Sequence, residues 1–150
     1  MGAASSMNLQ YDIYISYPEK TEYIDRIEKE LIELNFTIIN KQTIPGLITP
    51  KINNNDISNI IEDLIKKTKY IFVCISPKTL NSVTQMLEMN EILNNYDEIN
   101  HKLFYFIMDP SYNLKSIIRK NKSFPLYDEN TLSETTSQIL SLLMNNTLED

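Results

Sequence analysis

Tyr70-Ile71-Phe72-Val73-Cys74-Ile75 is an unbroken apolar run, with no polar residue alternating through it. A strand open to water on one face alternates apolar with polar residues, whereas a strand covered on both faces does not. The run therefore predicts the central strand of a sheet sandwiched between helices. At six residues it is also too short for a buried helix.

Working outward, strand-like and helix-like segments alternate. Upstream, Ile57, Ile60, Ile61, Leu64 and Ile65 trace a helical face, preceded by an irregular stretch, Lys41 to Asn55, that holds Pro45-Gly46 and Pro50. Before that, Tyr11–Ser16 and Phe36–Ile39 read as strands. They flank a helix from Tyr23 to Leu34 whose Tyr23, Ile24, Ile27, Leu31 and Leu34 share one face. Downstream, Ser82 to about Tyr96 reads as a helix, with Ser82 and Gln85 fitting a capping box. Leu103–Met108 is another buried strand, and a short helix spans about Leu114 to Ile118. Phe124–Tyr127 is an edge strand that tolerates its proline, and the last helix runs from about Leu132 to Met144. Five strands alternating with helices predict a flavodoxin-like α/β sandwich on a parallel sheet of order 2-1-3-4-5. Ligands of such sheets bind beyond the carboxyl ends of the strands, near the switch point between the first and third. Tyr17, the Lys41–Asn55 loop and the Ser76–Glu88 segment are expected to meet there.

Composition narrows the function. The 150 residues suit one domain, read here as residues 7–150 behind a small polar leader at residues 1–6. A net charge of −6 argues against a duplex nucleic-acid binder, which needs clustered Lys and Arg. No apolar run reaches the roughly 18 residues that would cross a bilayer. Cys74 is the sole cysteine and reads as a buried thiol, so no intrachain disulfide forms and a reducing, cytoplasmic setting fits. One histidine, His101, and one cysteine far apart build neither a metal cluster nor a Cys–His pair. With Gly2 in the leader, only Gly46 remains, too few for a dinucleotide fingerprint or a Walker loop. A phosphoacceptor receiver needs an acidic pair after the first strand and an aspartate ending the third. This chain has Tyr17-Pro18 and Ser76-Pro77 there. A flavodoxin's hydroxyl-rich phosphate loop does not match Pro18-Glu19-Lys20 either.

On the third long helix, Thr84, Glu88, Glu91 and Asn95 form a narrow polar stripe. Val83, Met86, Leu87, Met89, Ile92 and Leu93 occupy most of the remaining circumference. By periodicity alone the stripe is the solvent face. By location, just past the central strand, Glu88 stands near the ligand edge.

Here the chain resembles the Toll/interleukin-1 receptor (TIR) domains. Tyr11-Asp12-Ile13-Tyr14-Ile15-Ser16-Tyr17 looks like their first-strand signature, and Ile44-Pro45-Gly46 like the tip of their BB loop. Ser76-Pro77-Lys78-Thr79-Leu80-Asn81-Ser82 resembles their Ser-Pro stretch, with the family's glutamate six residues later at Glu88. The resemblance spans about Tyr11 to Leu143. It departs at Thr84, where catalytic relatives often carry tryptophan, and at Pro18-Glu19, where several carry basic residues.

The resemblance implies an enzyme of the bacterial NAD-cleaving branch, which breaks the nicotinamide–ribose bond of NAD+ and releases an ADP-ribose-type product, linear or cyclic, in antiphage defence. NAD+ would be substrate, with no separate cofactor. Glu88 would be catalytic, and Tyr17, Pro18, Lys41, Gly46, Ser76 and Thr84 would line the substrate. Ile44, Pro45, Gly46 and Leu47 would form a BB-loop interface between copies of the chain, and a separate effector would sense the product. Tyr17 could equally cap the sheet, and Pro45-Gly46 read locally is an ordinary turn. One carboxylate suffices for the chemistry. Nicotinamide leaves as a neutral molecule from a cationic ring, so no general acid is needed, unlike ordinary glycoside hydrolysis. A carboxylate about 4 Å from an oxocarbenium-like ribose, at an effective dielectric near 20, is worth roughly 4 kcal/mol, or about a thousandfold. Two alternatives stand beside this reading. One is a non-catalytic TIR adaptor acting by self-association, which Thr84 favours and Glu88 opposes. The weaker one is an enzyme like the nucleoside deoxyribosyltransferases, which the BB-loop motif opposes.

Overall fold

The computed structural model describes residues 9–43, 54–111 and 123–149. The expected short helix at Leu114–Ile118 and the BB-loop residues Ile44, Pro45, Gly46 and Leu47 lie outside them. Five strands, β1 (Tyr11–Ser16), β2 (Ile38–Ile39), β3 (Thr68–Ile75), β4 (Leu103–Ile107) and β5 (Ser123–Pro125), pair in parallel in the order β2-β1-β3-β4-β5. This is the doubly wound, flavodoxin-like arrangement expected from the sequence.

The helices are α1 (Glu22–Glu33), α2 (Asn54–Lys66), α3 (Val83–Asn94), the single-turn α4 (Tyr96–Ile99) and α5 (Glu129–Glu149). Because successive strand residues point to opposite faces, β3 feeds two separate cores. Ile71, Val73 and Ile75 pack with Ile57, Ile61 and Ile65 of α2 and Ile92 of α3. Phe72 and Cys74 pack with Ile24, Ile27 and Leu31 of α1 and Leu132, Ile139 and Leu143 of α5. Leu34, assigned to the buried face of the first helix, instead forms its exposed C-cap. The chain reverses there through Asn35, whose φ of 71° lies in the left-handed region. Asn35 donates its N–H to the Ile32 carbonyl and Phe36 donates to Leu31, so carbonyls of the last helical turn are satisfied. Asp12 then ties β2 to β1, its carboxylate accepting from the Thr37 backbone at 2.8 Å.

The phase of α3 differs from the periodicity reading. Val83, Met86 and Leu93 are 74%, 43% and 60% exposed, whereas Gln85, Glu88 and Glu91 are buried. Apolar residues ring this helix so evenly that hydrophobicity fixes no inward face. The hydrogen bonds of the Glu88 carboxylate and the Gln85 amide nitrogen fix it instead. The capping box also differs. Ser82 accepts from the Gln85 backbone N–H, but the Gln85 side chain turns inward and donates to the Cys74 carbonyl at 2.7 Å. The box with both arms made lies earlier, at Ser76 and Thr79, and opens a 3-10 turn over Pro77–Asn81.

Candidate functional site

The site is built from the carboxyl end of β1. Tyr14 and Ser16 occupy successive inward positions of that strand and face the α2/α3 layer. A hydroxyl buried there must find a partner. Tyr14 donates its hydroxyl to Glu88 Oε2, and Ser16 Oγ donates to Glu88 Oε1 at 2.8 Å. Each carboxylate oxygen thus has its own donor from an interior strand paired on both sides. Glu88 is fully enclosed, at 0% exposure. Among the described residues, no Lys, Arg or His lies within ion-pair distance of it. Burial therefore dominates and pushes the Glu88 carboxyl up to about 7, while the two hydroxyls and the charge of Lys41 pull against it. Reciprocally, burial and the neighbouring carboxylate drive the Tyr14 phenol well above its ordinary range.

The other residues singled out in the sequence divide around this acid. Lys41 Nζ donates to the Pro18 carbonyl at 2.7 Å and sits 5.0 Å over the Tyr17 ring, so Tyr17, Pro18 and Lys41 gather at one edge. Tyr17 is 1% exposed and packs with Ile15 and Ile24 in the α1/α5 layer, on the side of the sheet away from Glu88. In this arrangement it closes the core and offers no free ring face. Pro18 and Ser76 line a cleft of about 270 Å³ together with Glu19, Lys78 and Asp109. These residues follow β1, β3 and β4, so the cleft opens at the carboxyl edge where ligands of this fold class bind. The Ser76 hydroxyl is occupied by capping, accepting from the Lys78 backbone at 3.1 Å. Thr84 is half-buried one turn before Glu88. A cavity of about 380 Å³ between α1 and α5, lined by Arg26, Glu129 and Ser133 among others, is remote from this chemistry.

Sequence reading missed Tyr14, Ser16 and Gln85. The available signal was two hydroxyls at i and i+2 of a strand buried on both faces. It also missed a second buried acid, Glu28 of α1, which pairs with Lys20 at 2.6 Å and accepts from Asn40 Nδ2 at 2.8 Å. That cluster is structural: Asn40 Oδ1 accepts from the Gln42 and Thr43 backbones and holds the turn after β2. Burial raises the Cys74 thiol far above its ordinary value, which removes it as a nucleophile.

A doubly wound parallel sheet of this order defines the flavodoxin-like class of α/β domain, and solved structures of TIR proteins are similar to it in fold. A metazoan TIR-STING receptor from C. gigas matches over 70% of this chain and 33% of its own, with 22% identity and a TM-score of 0.53. The same receptor in complex with 2',3'-cGAMP matches over 87% of this chain and 39% of its own, with 20% identity and a TM-score of 0.59. The TIR domains of the activated Roq1 resistosome match over 91% of this chain and 75% of their own, with 15% identity and a TM-score of 0.49. The chain thus shares the α/β fold of TIR proteins and spans about a third to two-fifths of the receptor's length. No protein-family model and no curated protein matches it.

Proposed function

We propose that this chain is a TIR domain of the NAD-cleaving kind, with Glu88 as its catalytic carboxylate. The observation that supports this most is the Glu88 carboxylate itself, fully enclosed and held by two hydroxyls beneath the ligand edge. Burying an acid lowers stability, and charges kept at that cost concentrate at functional sites. In the reaction, the C–N bond between ribose and nicotinamide breaks and its electron pair passes to the pyridinium nitrogen. Neutral nicotinamide leaves, and the oxocarbenium-like ribose forms opposite the Glu88 carboxylate. Water then adds to that carbon and loses a proton, giving ADP-ribose, or an internal nucleophile closes a ring. Substrate reaches Glu88 only when part of its enclosing wall moves. That suits a pocket completed between copies of the chain, with Ile44, Pro45, Gly46 and Leu47 at the contact. The setting would be cytoplasmic antiphage signalling, with a separate effector reading the product. Among the described residues no helix is long and apolar enough to cross a membrane.

The test is nicotinamide release from NAD+ by concentrated protein, followed by chromatography beside Glu88→Gln. Release that vanishes in the variant supports the reading, and the co-product separates hydrolysis from cyclisation. Release that survives moves the site to Glu91 or to a contaminant. Absence of release from both proteins, at concentrations that drive self-association, favours the adaptor reading. The exposed apolar residues Leu80, Val83 and Met86 around the start of α3 would suit an adaptor's contact.

A further inference from the structure

Tyr14 touches the acid that the proposed reaction depends on, yet packing alone does not explain it. Its ring is fully buried in the α2/α3 core, a place a phenylalanine would fill without the need to satisfy a hydroxyl. The hydroxyl is instead spent on one oxygen of Glu88 while Ser16 holds the other. Because Tyr14 and Ser16 are an i, i+2 pair on β1, an interior strand paired on both sides, their donors cannot drift independently of the fold.

We propose that Tyr14, seconded by Ser16, is a positioning residue that fixes the rotamer of Glu88 and keeps it ionised for the reaction at the ribose. The catalytic half of this proposal rests on the NAD-cleaving reading; the control of Glu88 by β1 does not. A hydroxyl that donates to a carboxylate stabilises its charged form, because the protonated acid needs one of the two donors to turn round and accept. Burial works in the opposite direction. The groups bearing on Glu88 are Tyr14 and Ser16 of β1, Tyr17 just beyond it, Cys74 of β3 and Lys41 after β2. From α3 itself, Gln85 stands a turn before and Glu91 a turn after. Glu62 of α2 is engaged with Asn95 Nδ2 at 3.3 Å. Among the described residues only Lys41 brings a positive charge, and it is committed to the Pro18 carbonyl. The two hydroxyls are therefore the main support of the carboxylate form.

The experiment has two arms. In the first, carbon-detected NMR follows the Glu88 carboxyl against pH in the wild type, Tyr14→Phe and Ser16→Ala, with Glu88→Gln identifying the resonance. The midpoint is expected to rise in Tyr14→Phe by about one to two pH units, the worth of one hydrogen bond to a charge. In the second, kcat for nicotinamide release is measured from pH 5 to 9. Its acid limb should move up by the same amount, with about a tenfold or greater loss at pH 6, a smaller loss at pH 9 and little change in KM. An unchanged NMR midpoint in both variants overturns the proposal whatever the kinetics do. A raised midpoint with an unmoved acid limb overturns the catalytic half. A raised midpoint with no nicotinamide release from any protein supports the control of Glu88 by β1 and refutes NAD cleavage. If Tyr14→Phe fails to fold, Ser16→Ala carries the same two readings, because it removes only one small hydroxyl.

Discussion

Glu88→Gln should stabilise the protein above neutral pH and leave it nearly unchanged in acid. Burial raises the folded-state value of Glu88 from its ordinary 4.5 to about 7. Below 4.5 the carboxyl is protonated in folded and unfolded chains alike, so its burial carries no charge penalty. Between 4.5 and 7 the folded chain keeps a proton that the unfolded chain releases, so stability falls as pH rises. Above 7 the whole penalty is present. At 1.36 kcal/mol per pH unit it amounts to about 3 kcal/mol. Glutamine carries no charge and still offers one acceptor and one donor group, and either hydroxyl can rotate to accept from the amide. For a domain of this size about 3 kcal/mol corresponds to on the order of 10 °C in Tm. The assay is thermal or urea unfolding of both proteins at pH 5, 6, 7 and 8, read by circular dichroism. The variant's advantage should grow across that series and level off near pH 8. A variant that runs parallel to the wild type at every pH would refute the reasoning, because the carboxylate would then be compensated by a cation or by water. The outcome does not depend on whether the chain is an enzyme, so it tests the site separately from its chemistry.

Other predictions address the frame around the site. At Asn35, replacement by glycine should be neutral or mildly stabilising, whereas valine should cost about 1–2 kcal/mol because a β-branched residue resists the left-handed region; urea denaturation measures both. On α3, Leu93→Lys should change stability by no more than about 0.5 kcal/mol, whereas Ile92→Ala, one residue away, should cost about 2–5 kcal/mol. A comparable cost at both positions would restore the helix phase that hydrophobic periodicity suggests.

The parts of the fold that were legible in the sequence are those where one physical signal dominates. Tyr70–Ile75 reads as a doubly covered strand because nothing polar interrupts it, and α2 reads as a helix because five aliphatics repeat at its period. The strand order followed from that alternation. Helix α3 was illegible for the opposite reason. Its aliphatics surround it, so the inward face is chosen by the few polar groups that the sheet can satisfy. A glutamate at helical spacing is ordinarily solvent-facing, and only the strand opposite reveals otherwise. Tyrosine in a strand is likewise ordinary, because the aromatic ring suits a pleated surface whatever its hydroxyl does. The link between Tyr14 and Glu88 thus spans 74 residues of sequence and two unremarkable local patterns.

The sequence nominated Glu88, Pro18 and Ser76 alike, but it gave no sign of the partners that hold Glu88 inward. Pro18 and Ser76 end strands, and strand ends of a doubly wound sheet converge on a ligand edge by topology alone. The structure places both on the cleft there. Glu88 comes to that edge from beneath, along a helix whose orientation topology does not set. Its inward position requires three compensations at once: a hydroxyl for each carboxylate oxygen and a backbone carbonyl for the amide of Gln85 on the preceding turn. A glutamate needed only for packing would not be kept at that expense, since leucine or methionine fits a helix and a core with no polar atoms to satisfy. Glu88 is therefore held inward at a cost that packing does not repay, and the proposed NAD-cleaving role rests on that cost.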